Sequence, residues 1–221
     1  MTPFKSSSSI SKLKEFKAAL PKGVNLVVVS KFRSSQEIMD LYRAGQRDFG
    51  ENRAQELKVK IEELPNDIRW HFIGPLQTNK IKMFIERVHL IHSIDSERLL
   101  RAVDREAQKR NIVVDCLLQL HIAREESKQG LTRRELLSLV EQRESFHNIR
   151  VRGVMGMASF IDDKEVVSAE FASLKELYDT ILELYPSIET NFNQLSMGMS
   201  GDWQLAVEQG STMVRVGSAI F

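Results

Sequence analysis

The sequence of 221 residues has one cysteine, no long apolar run and almost no excess of charge, and each absence excludes a class of protein. A lone cysteine cannot form an intrachain disulfide. Cys116 also lies in an apolar run away from any Cys/His cluster, so we expect a buried strand thiol and no metal site. No stretch approaches the roughly 18 apolar residues of a membrane span, and residues 1–11 are too polar for a secretion signal. We therefore expect a cytoplasmic protein without membrane association.

Basic and acidic residues nearly cancel, with 31 of the first kind and 30 of the second. Proteins that bind nucleic acid usually carry a basic stripe, often with interleaved aromatic residues, and none is present here. We expect no nucleic-acid partner, whereas a small anionic ligand remains compatible with the composition. With 42% hydrophobic residues, the chain can bury a sizeable core.

Short apolar runs alternate along the sequence with segments of helical periodicity. The β-branched run from Val27 to Val29 predicts a buried strand that leads into Lys31. Capping boxes at Ser34 and Thr132 indicate where two of the helices begin. The other strands are predicted at 47–50, 69–73, 89–92, 113–122, 151–157, 194–196 and 213–216, and the helices between them include 77–86 and 163–184.

Eight strand signals separated by helices favour an α/β fold, a single (β/α)8 TIM-type barrel, over an open doubly wound sheet. Too few residues follow the eighth strand for a closing helix, so we expect the extra N-terminal helix at 10–20 to cover its position. No linker or low-complexity tract interrupts the pattern, and residues 1–221 are expected to form one domain.

Functional residues of such barrels lie at the carboxyl ends of the strands. Lys31 falls at this end, where a lysine can form a Schiff base, although a solvated loop lysine is the simpler interpretation. Gly and Ser residues follow the last two strands, at 196–200 and 217–218. These segments suit a phosphate dianion, with ordinary tight turns as the alternative.

A lysine facing a phosphate site matches the needs of bound pyridoxal phosphate (PLP), whose aldehyde and phosphate lie on different sides of the ring. Arg215 would then lie near the ring. Because arginine stays protonated and only donates hydrogen bonds, it would leave the pyridine nitrogen unprotonated and weaken the ring as an electron sink.

Several short motifs, spread over nearly the whole chain, occur together in one order. They are Val29-Ser30-Lys31, Phe49-Gly50-Glu51-Asn52 with Gln55-Glu56, Trp70-His71-Phe72-Ile73-Gly74 with Leu76-Gln77-Thr78-Asn79-Lys80, Ser127-Lys128-Gln129-Gly130, and the carboxyl-terminal segments 195–200 and 210–221.

With these motifs the sequence resembles the cytoplasmic pyridoxal phosphate homeostasis proteins, single-barrel relatives of the alanine racemase amino-terminal domain. The resemblance implies a protein that holds PLP on Lys31 as a Schiff base without dedicated turnover. It implies that Arg215 faces the pyridine nitrogen and that Asn52 lies near the ring. The implied phosphate contacts are Ser200, Gly217 and Ser218, and Ser196 is counted with the cofactor-binding residues.

The sequence departs from the family pattern at three places. Phe32-Arg33 replaces the usual threonine-lysine, His121-Ile122 stands where many members have asparagine, and the sequence stops at Phe221 where a glycine and a short tail usually follow. These departures bear on ring packing and on the closing turn. We expect a monomer, with PLP-dependent apo-enzymes as recipients of the cofactor.

Two other functions are weighed against this one. An amino-acid racemase of the alanine racemase type needs a second base, a tyrosine from another domain and subunit. The three tyrosines, Tyr42, Tyr178 and Tyr185, are all predicted within helices or at their ends, away from the strand ends. A phosphosugar-type barrel without a covalent cofactor would leave the match at Lys31 unexplained.

The histidines and methionines near the predicted strand ends have two interpretations. His71 and His121 could act as acids or bases beside the cofactor, but hydrogen-bonded structural histidines are common in barrel strands. His89, His92 and His147 are interpreted as structural or surface residues. The segment 155–157, rich in methionine, is interpreted as core packing.

Overall fold

The computed structural model describes residues 3–125, 129–188 and 190–221, with side chains from residue 8 onward. Eight parallel strands form a closed barrel in sequence order, and β8 pairs with β1 through Val27 and Arg215 among other residues. The barrel prediction is confirmed, and the open sheet is wrong. The strands are β1 Asn25–Val29, β2 Asp48–Glu51, β3 Arg69–Phe72, β4 Val88–Ile94, β5 Val114–Gln119, β6 Ile149–Met155, β7 Gln194–Ser196 and β8 Met213–Val216.

Helices follow most of the strands. Both predicted capping boxes are present, since Ser34 and Thr132 each accept a hydrogen bond from the backbone of the glutamate three residues later. The α-helices are α1 Pro3–Ala19, α2 Ser35–Arg43, α3 Ala54–Glu63, α4 Glu97–Gln108, α5 Arg133–Glu141, α6 Lys164–Leu184 and α7 Trp203–Glu208.

The connection between β3 and β4 differs from the predicted α-helix at 77–86. Its helical part is a 3-10 helix, Thr78–Met83, whose ends hydrogen-bond three residues back, as from Phe84 N to Ile81 O at 3.3 Å. The Phe84 ring, just after this helix, stacks on Phe72 of β3 at 4.7 Å between centroids. This contact ties the end of the connection to β3.

Strand β5 ends at Gln119, three residues before the predicted end. Beyond it, Leu120 forms an isolated bridge with Leu131, and His121 N donates to Leu131 O at 3.0 Å. The backbone groups that would extend the strand are thus taken by the returning loop. Strand β6 likewise begins and ends two residues earlier than predicted.

The N-terminal helix α1 covers the position that a helix after β8 would fill, as predicted. Leu13 on its inner face is buried, and the Phe16 ring lies 4.7 Å from the ring of Trp203 in α7. On its other side Lys17 Nζ donates to Gly45 O, just after α2, at 3.5 Å. Helix α1 therefore lies between the first and last barrel helices.

Two groups of apolar side chains form the core. The larger lies between the strands and the surrounding helices and includes Cys116, whose buried thiol has a pKa raised by burial. The smaller fills the barrel interior and consists of Val27, Leu90, Leu117, Met155 and Met213.

Within the described residues, no helix combines the length and apolar character needed to cross a membrane.

Candidate functional site

A cleft of about 900 Å³ opens at the carboxyl ends of the strands. It brings together six of the seven residues that the sequence assigned to a cofactor site. They are Lys31, Asn52, Ser200, Arg215, Gly217 and Ser218.

Lys31 lies in a tight turn directly after β1. Arg33 N donates to Ser30 O at 3.0 Å, which closes the turn, and Phe32 adopts a positive φ of 62°. A phenylalanine in this region is strained, since glycine or asparagine is usual there. The surrounding contacts must therefore hold the turn, and they fix the backbone from which Lys31 projects.

A buried ion pair anchors this turn from below. Lys60 Nζ on α3 donates to Ser30 O at 2.9 Å and to Glu51 Oε1 at 2.7 Å, and Ser30 Oγ donates to the same carboxylate oxygen at 2.6 Å. Burial raises the pKa of Glu51, and the bonds from Lys60 and Ser30 act against that rise. From the same helix, Glu56 Oε2 accepts from Phe32 N at 3.2 Å. The part played by Lys60 was not predicted from the sequence, and its signal is a lysine on the inner face of an amphipathic helix.

Asn52 lines the cleft and carries an unused acceptor. Its Oδ1 atom is buried, and it has no hydrogen-bond partner among the described residues. The loop after β3 lies against it, because a Cβ added at Gly74 would come 2.3 Å from Asn52 O. A buried unpaired acceptor is costly, so this atom points to a ligand that donates a hydrogen bond.

The two predicted phosphate turns meet beside the end of β1, where a Cβ added at Gly217 would come 3.0 Å from Val29 O. Ser200 Oγ accepts from Gly217 N at 3.2 Å, which joins the turn after β7 to the turn after β8. The N–H groups of Ser218 and Ala219 donate to none of the described residues. Asp202 Oδ1 accepts from Met199 N at 2.5 Å and so holds the first turn in place. Two adjacent free amides that line a cleft are donors suited to an anion.

Arg215 forms the floor of the cleft. Its guanidinium is buried and donates from Nη1 to Ser196 Oγ at 2.6 Å and from Nη2 to Gly156 O at 3.0 Å. Burial lowers the pKa of Arg215 to about 10, against a smaller opposing effect of Asp202. The group therefore keeps its positive charge at neutral pH.

Ser196, the seventh predicted residue, does not line the cleft. It is fully buried behind Arg215, and its Oγ contacts both that guanidinium and His92 Nδ1, the latter at 3.0 Å. Its described contacts are therefore with protein groups that hold Arg215.

The two histidines with open interpretations, His71 and His121, lie outside the cleft. His71 is buried in the barrel, between His92 and Asp48. His121 Nε2 pairs with Glu125 O at 3.0 Å. Neither residue lines the cleft, which supports the structural interpretation.

The methionines divide between core and cleft. Met155 is a core residue, as interpreted from sequence, whereas Met157 lines the cleft. Residues Ser127 and Lys128 of one quoted motif lie outside the described residues.

One group of potential metal ligands occurs at the opposite end of the barrel. Ligand atoms of Asp48, His71 and His89 lie within 4.8 Å of one another. Arg69, however, donates to both carboxylate oxygens of Asp48, at 2.7 and 2.5 Å. Although burial raises it, the bonds from Arg69 and His71 hold the pKa of Asp48 well below its usual range.

Comparison with known proteins defines the class of this barrel. Residues 9–221 match the family described as "Alanine racemase, N-terminal domain", so the chain belongs to that family. An alanine racemase from Bartonella henselae shares the fold, with a TM-score of 0.73 at 16% identity over 98% of this chain and 58% of that one.

The nearer relatives are more specific. Pyridoxal phosphate homeostasis proteins of Vibrio alginolyticus and Aquifex aeolicus are 37% and 39% identical, over 91% and 89% of this chain and 87% and 85% of theirs. The chain therefore belongs to the pyridoxal phosphate homeostasis proteins, and the resemblance noted in the sequence is confirmed.

Solved structures agree with this assignment. PipY of Synechococcus elongatus without PLP superposes with a TM-score of 0.91 at 34% identity, over 96% of this chain and 99% of that one. The structure of PipY with PLP bound gives a TM-score of 0.87 at 33% identity, with the same coverage.

Proposed function

We propose that this protein holds PLP covalently on Lys31 and serves intracellular PLP homeostasis without turning over a dedicated substrate. The observation that carries the proposal is one cleft with an amine, a protonated guanidinium, an unused acceptor and a group of free amides. Bound PLP supplies an aldehyde that forms a Schiff base with an amine, and a ring that withdraws electrons. The relatives' names and the PLP-bound PipY structure support the same cofactor.

The residues present fit this cofactor. Lys31 Nζ makes no hydrogen bond or ion pair with the described residues, so its amine is available for the covalent link. The amides of Ser218 and Ala219, with the hydroxyls of Ser200 and Ser218, would hold the phosphate. The buried Oδ1 of Asn52 would accept a hydrogen bond from the bound group.

Arg215 would face the pyridine nitrogen and donate to it. A pKa of about 10 means that the guanidinium offers hydrogens and accepts none at neutral pH. The pyridine nitrogen would therefore stay unprotonated, which disfavours chemistry through a delocalised carbanion. This property suits a protein that holds PLP more than one that transforms an amino acid.

Among the described residues, no tyrosine lines the cleft as the second base of the racemase alternative would. Tyr42 lies on α2, Tyr178 on α6 and Tyr185 just after α6, and none of them lines the cleft. We propose that the three tyrosines have structural roles. One example is the hydrogen bond from Tyr178 Oη to Phe192 O at 3.2 Å.

We further propose that the protein acts as a cytoplasmic monomer of one domain and passes PLP to PLP-dependent apo-enzymes. The rim of the cleft supports a transient encounter with another protein, because Phe160 is 94% exposed and Ile161 beside it 45% exposed. Exposed apolar residues at the mouth of a site are typical of docking surfaces.

The test is borohydride reduction of the purified protein in the presence of PLP, followed by visible absorbance and peptide mass spectrometry. We expect a visible band and a reduced pyridoxyl adduct on Lys31. A Lys31→Ala variant should lack the adduct, and a Lys58→Ala variant, changed at an exposed lysine of α3, should retain it. Absence of any band with added PLP would leave a phosphate-binding barrel of another kind.

A further inference from the structure

A row of buried hydrogen bonds crosses the barrel interior below the cleft. It runs from the Arg215 guanidinium to Ser196 Oγ at 2.6 Å, and from there to His92 Nδ1 at 3.0 Å. His92 Nε2 lies 2.9 Å from His71 Nδ1, and His71 Nε2 lies 3.1 Å from Asp48 Oδ1. The row joins strands β8, β7, β4, β3 and β2. It ends at the carboxylate on the amino-terminal side of the barrel.

The Asp48 end fixes the direction of the hydrogen bonds when both imidazoles are neutral. The ionised Asp48 carboxylate can only accept, so a neutral His71 carries its proton on Nε2 and accepts at Nδ1. A neutral His92 must then donate from Nε2 and accept at Nδ1. The Ser196 hydroxyl therefore donates to His92, while a lone pair of the same Oγ accepts from Arg215.

The surroundings keep both imidazoles neutral. Burial, the largest cause, lowers the pKa of His71 against the opposing effect of Asp48. Burial also lowers the pKa of His92 well below its usual value, and the charge of Arg215 adds to this. The other titratable groups that act on the two rings are Arg69 on β3 and His89 on β4.

We propose that His92 is a positioning residue for Arg215, and that Asp48 sets the proton positions of the whole row. Asp48 fixes the His71 tautomer, His71 fixes the His92 tautomer, and His92 turns the Ser196 hydroxyl so that its lone pairs face the guanidinium. Arg215 is thereby held by two oriented acceptors, Ser196 Oγ and Gly156 O. The effect on the pyridine side of the cofactor rests on the proposed function, whereas the tautomers do not.

The tautomers are measured directly by NMR on the 15N-histidine-labelled protein without cofactor. We expect His71 and His92 both to be protonated at Nε2 and unprotonated at Nδ1 at pH 7. A charged ring, or a His92 that carries its proton on Nδ1, would overturn the proposal in the wild-type protein alone.

Variants at Asp48 test whether the carboxylate sets the direction. Asp48→Leu removes the acceptor, and we expect mixed tautomers at both histidines. Asp48→Asn retains an acceptor oxygen and should preserve the wild-type tautomers. His89→Gln is the matched control, because its ring lies 5.3 Å from His71 without a hydrogen bond and the row should not change. A folded Asp48→Leu protein with unchanged tautomers would overturn the proposal.

If Asp48→Leu does not fold, the row of hydrogen bonds can be tested at Ser196 instead. Ser196→Ala removes the donor to His92 Nδ1, and the resonance of that nitrogen should move towards the position of an unbonded acceptor. An unchanged Nδ1 resonance would contradict the inferred contact.

The consequence for the cofactor is measured as the dissociation constant for PLP. His92→Leu should weaken binding about tenfold through the disordered guanidinium. His92→Gln, which can both accept from Ser196 and donate to His71, should restore most of the loss. Equal affinity in His92→Leu and wild type would refute the positioning role. Failure of the wild type itself to bind PLP would instead count against the proposed function and leave the tautomers standing.

Discussion

Asn52 and His92 show how the two polar regions of this barrel differ. In the cleft, Asn52 Oδ1 is buried without a partner, and amides of the turn after β8 donate to none of the described residues. In the interior below, His92 uses both ring nitrogens. Unpaired buried polar groups are costly and paired ones stabilise, so we interpret the cleft as prepared for a ligand. Its support is the set of bonded side chains beneath it, which includes Lys60, Glu51, Ser30, His92 and Ser196, although Glu51 Oε2 also lacks a partner among the described residues.

Loss of Lys60 should give the largest effect on stability, because it belongs to the support. Lys60→Met leaves the buried Glu51 carboxylate without its charged partner and should lower the free energy of unfolding by about 3–5 kcal/mol. Urea denaturation of the apo protein measures the change. Lys58→Met, at an exposed position of the same helix, should change it by less than about 0.5 kcal/mol. Equal free energies of unfolding of the two variants would show that Lys60 does not stabilise the fold.

The second-largest expected effect is a loss of folding stability at acidic pH. The folded-state pKa values of His71 and His92 are lowered, so below about pH 6.5 the unfolded chain binds protons that the folded chain does not. Stability is therefore full above that pH and falls as pH decreases, by up to about 1.4 kcal/mol per pH unit for each histidine. Urea denaturation between pH 7.5 and 5.5 should show the loss. The free energy of unfolding should fall less steeply with decreasing pH in His92→Gln than in the wild type. Equal slopes in the two proteins would show that His92 does not contribute to the loss of stability.

Two serines near β8 should give the smallest effects, one on PLP binding in the cleft and the other on the stability of the support. Ser218 is exposed in the cleft. Ser218→Ala should lower the affinity for PLP about tenfold and change the free energy of unfolding of the apo protein by less than about 0.5 kcal/mol. Ser211 is buried and donates to Met197 O at 2.8 Å. Ser211→Ala should destabilise the apo protein by about 1 kcal/mol. Parallel losses of affinity and stability in both variants would erase the distinction between cleft and support.

The fold could be predicted because its signals are local. Each strand is short, and helices at intervening positions carry their own caps, as at Ser34 and Thr132. The errors fall where tertiary contacts override that pattern. The stacking of Phe84 on Phe72 accompanies the 3-10 turn, and the bridge to Leu131 ends β5 early.

Most cleft residues were predictable because they follow a predicted strand, whereas Arg215 lies within the predicted eighth strand and the roles of Asn52 and Ser200 came from the family resemblance. The support was not predictable, because its partners are far apart in sequence: His92 and Ser196 are separated by 104 residues. Ser196 was accordingly grouped with the cofactor contacts, although it lies behind Arg215. A usable signal did exist, because Asp48, His71 and His92 are polar residues within predicted barrel strands, and a polar side chain buried there requires a partner.

The most direct test of the account is a crystal structure of this protein with PLP. We predict electron density continuous with Lys31 Nζ, the phosphate within hydrogen-bonding distance of the Ser218 and Ala219 amides, and Arg215 donating to the pyridine nitrogen. The Arg215 contact with Ser196 should be unchanged. A ligand bound elsewhere, or one whose ring nitrogen faces away from Arg215, would contradict the division between a prepared cleft and its paired support.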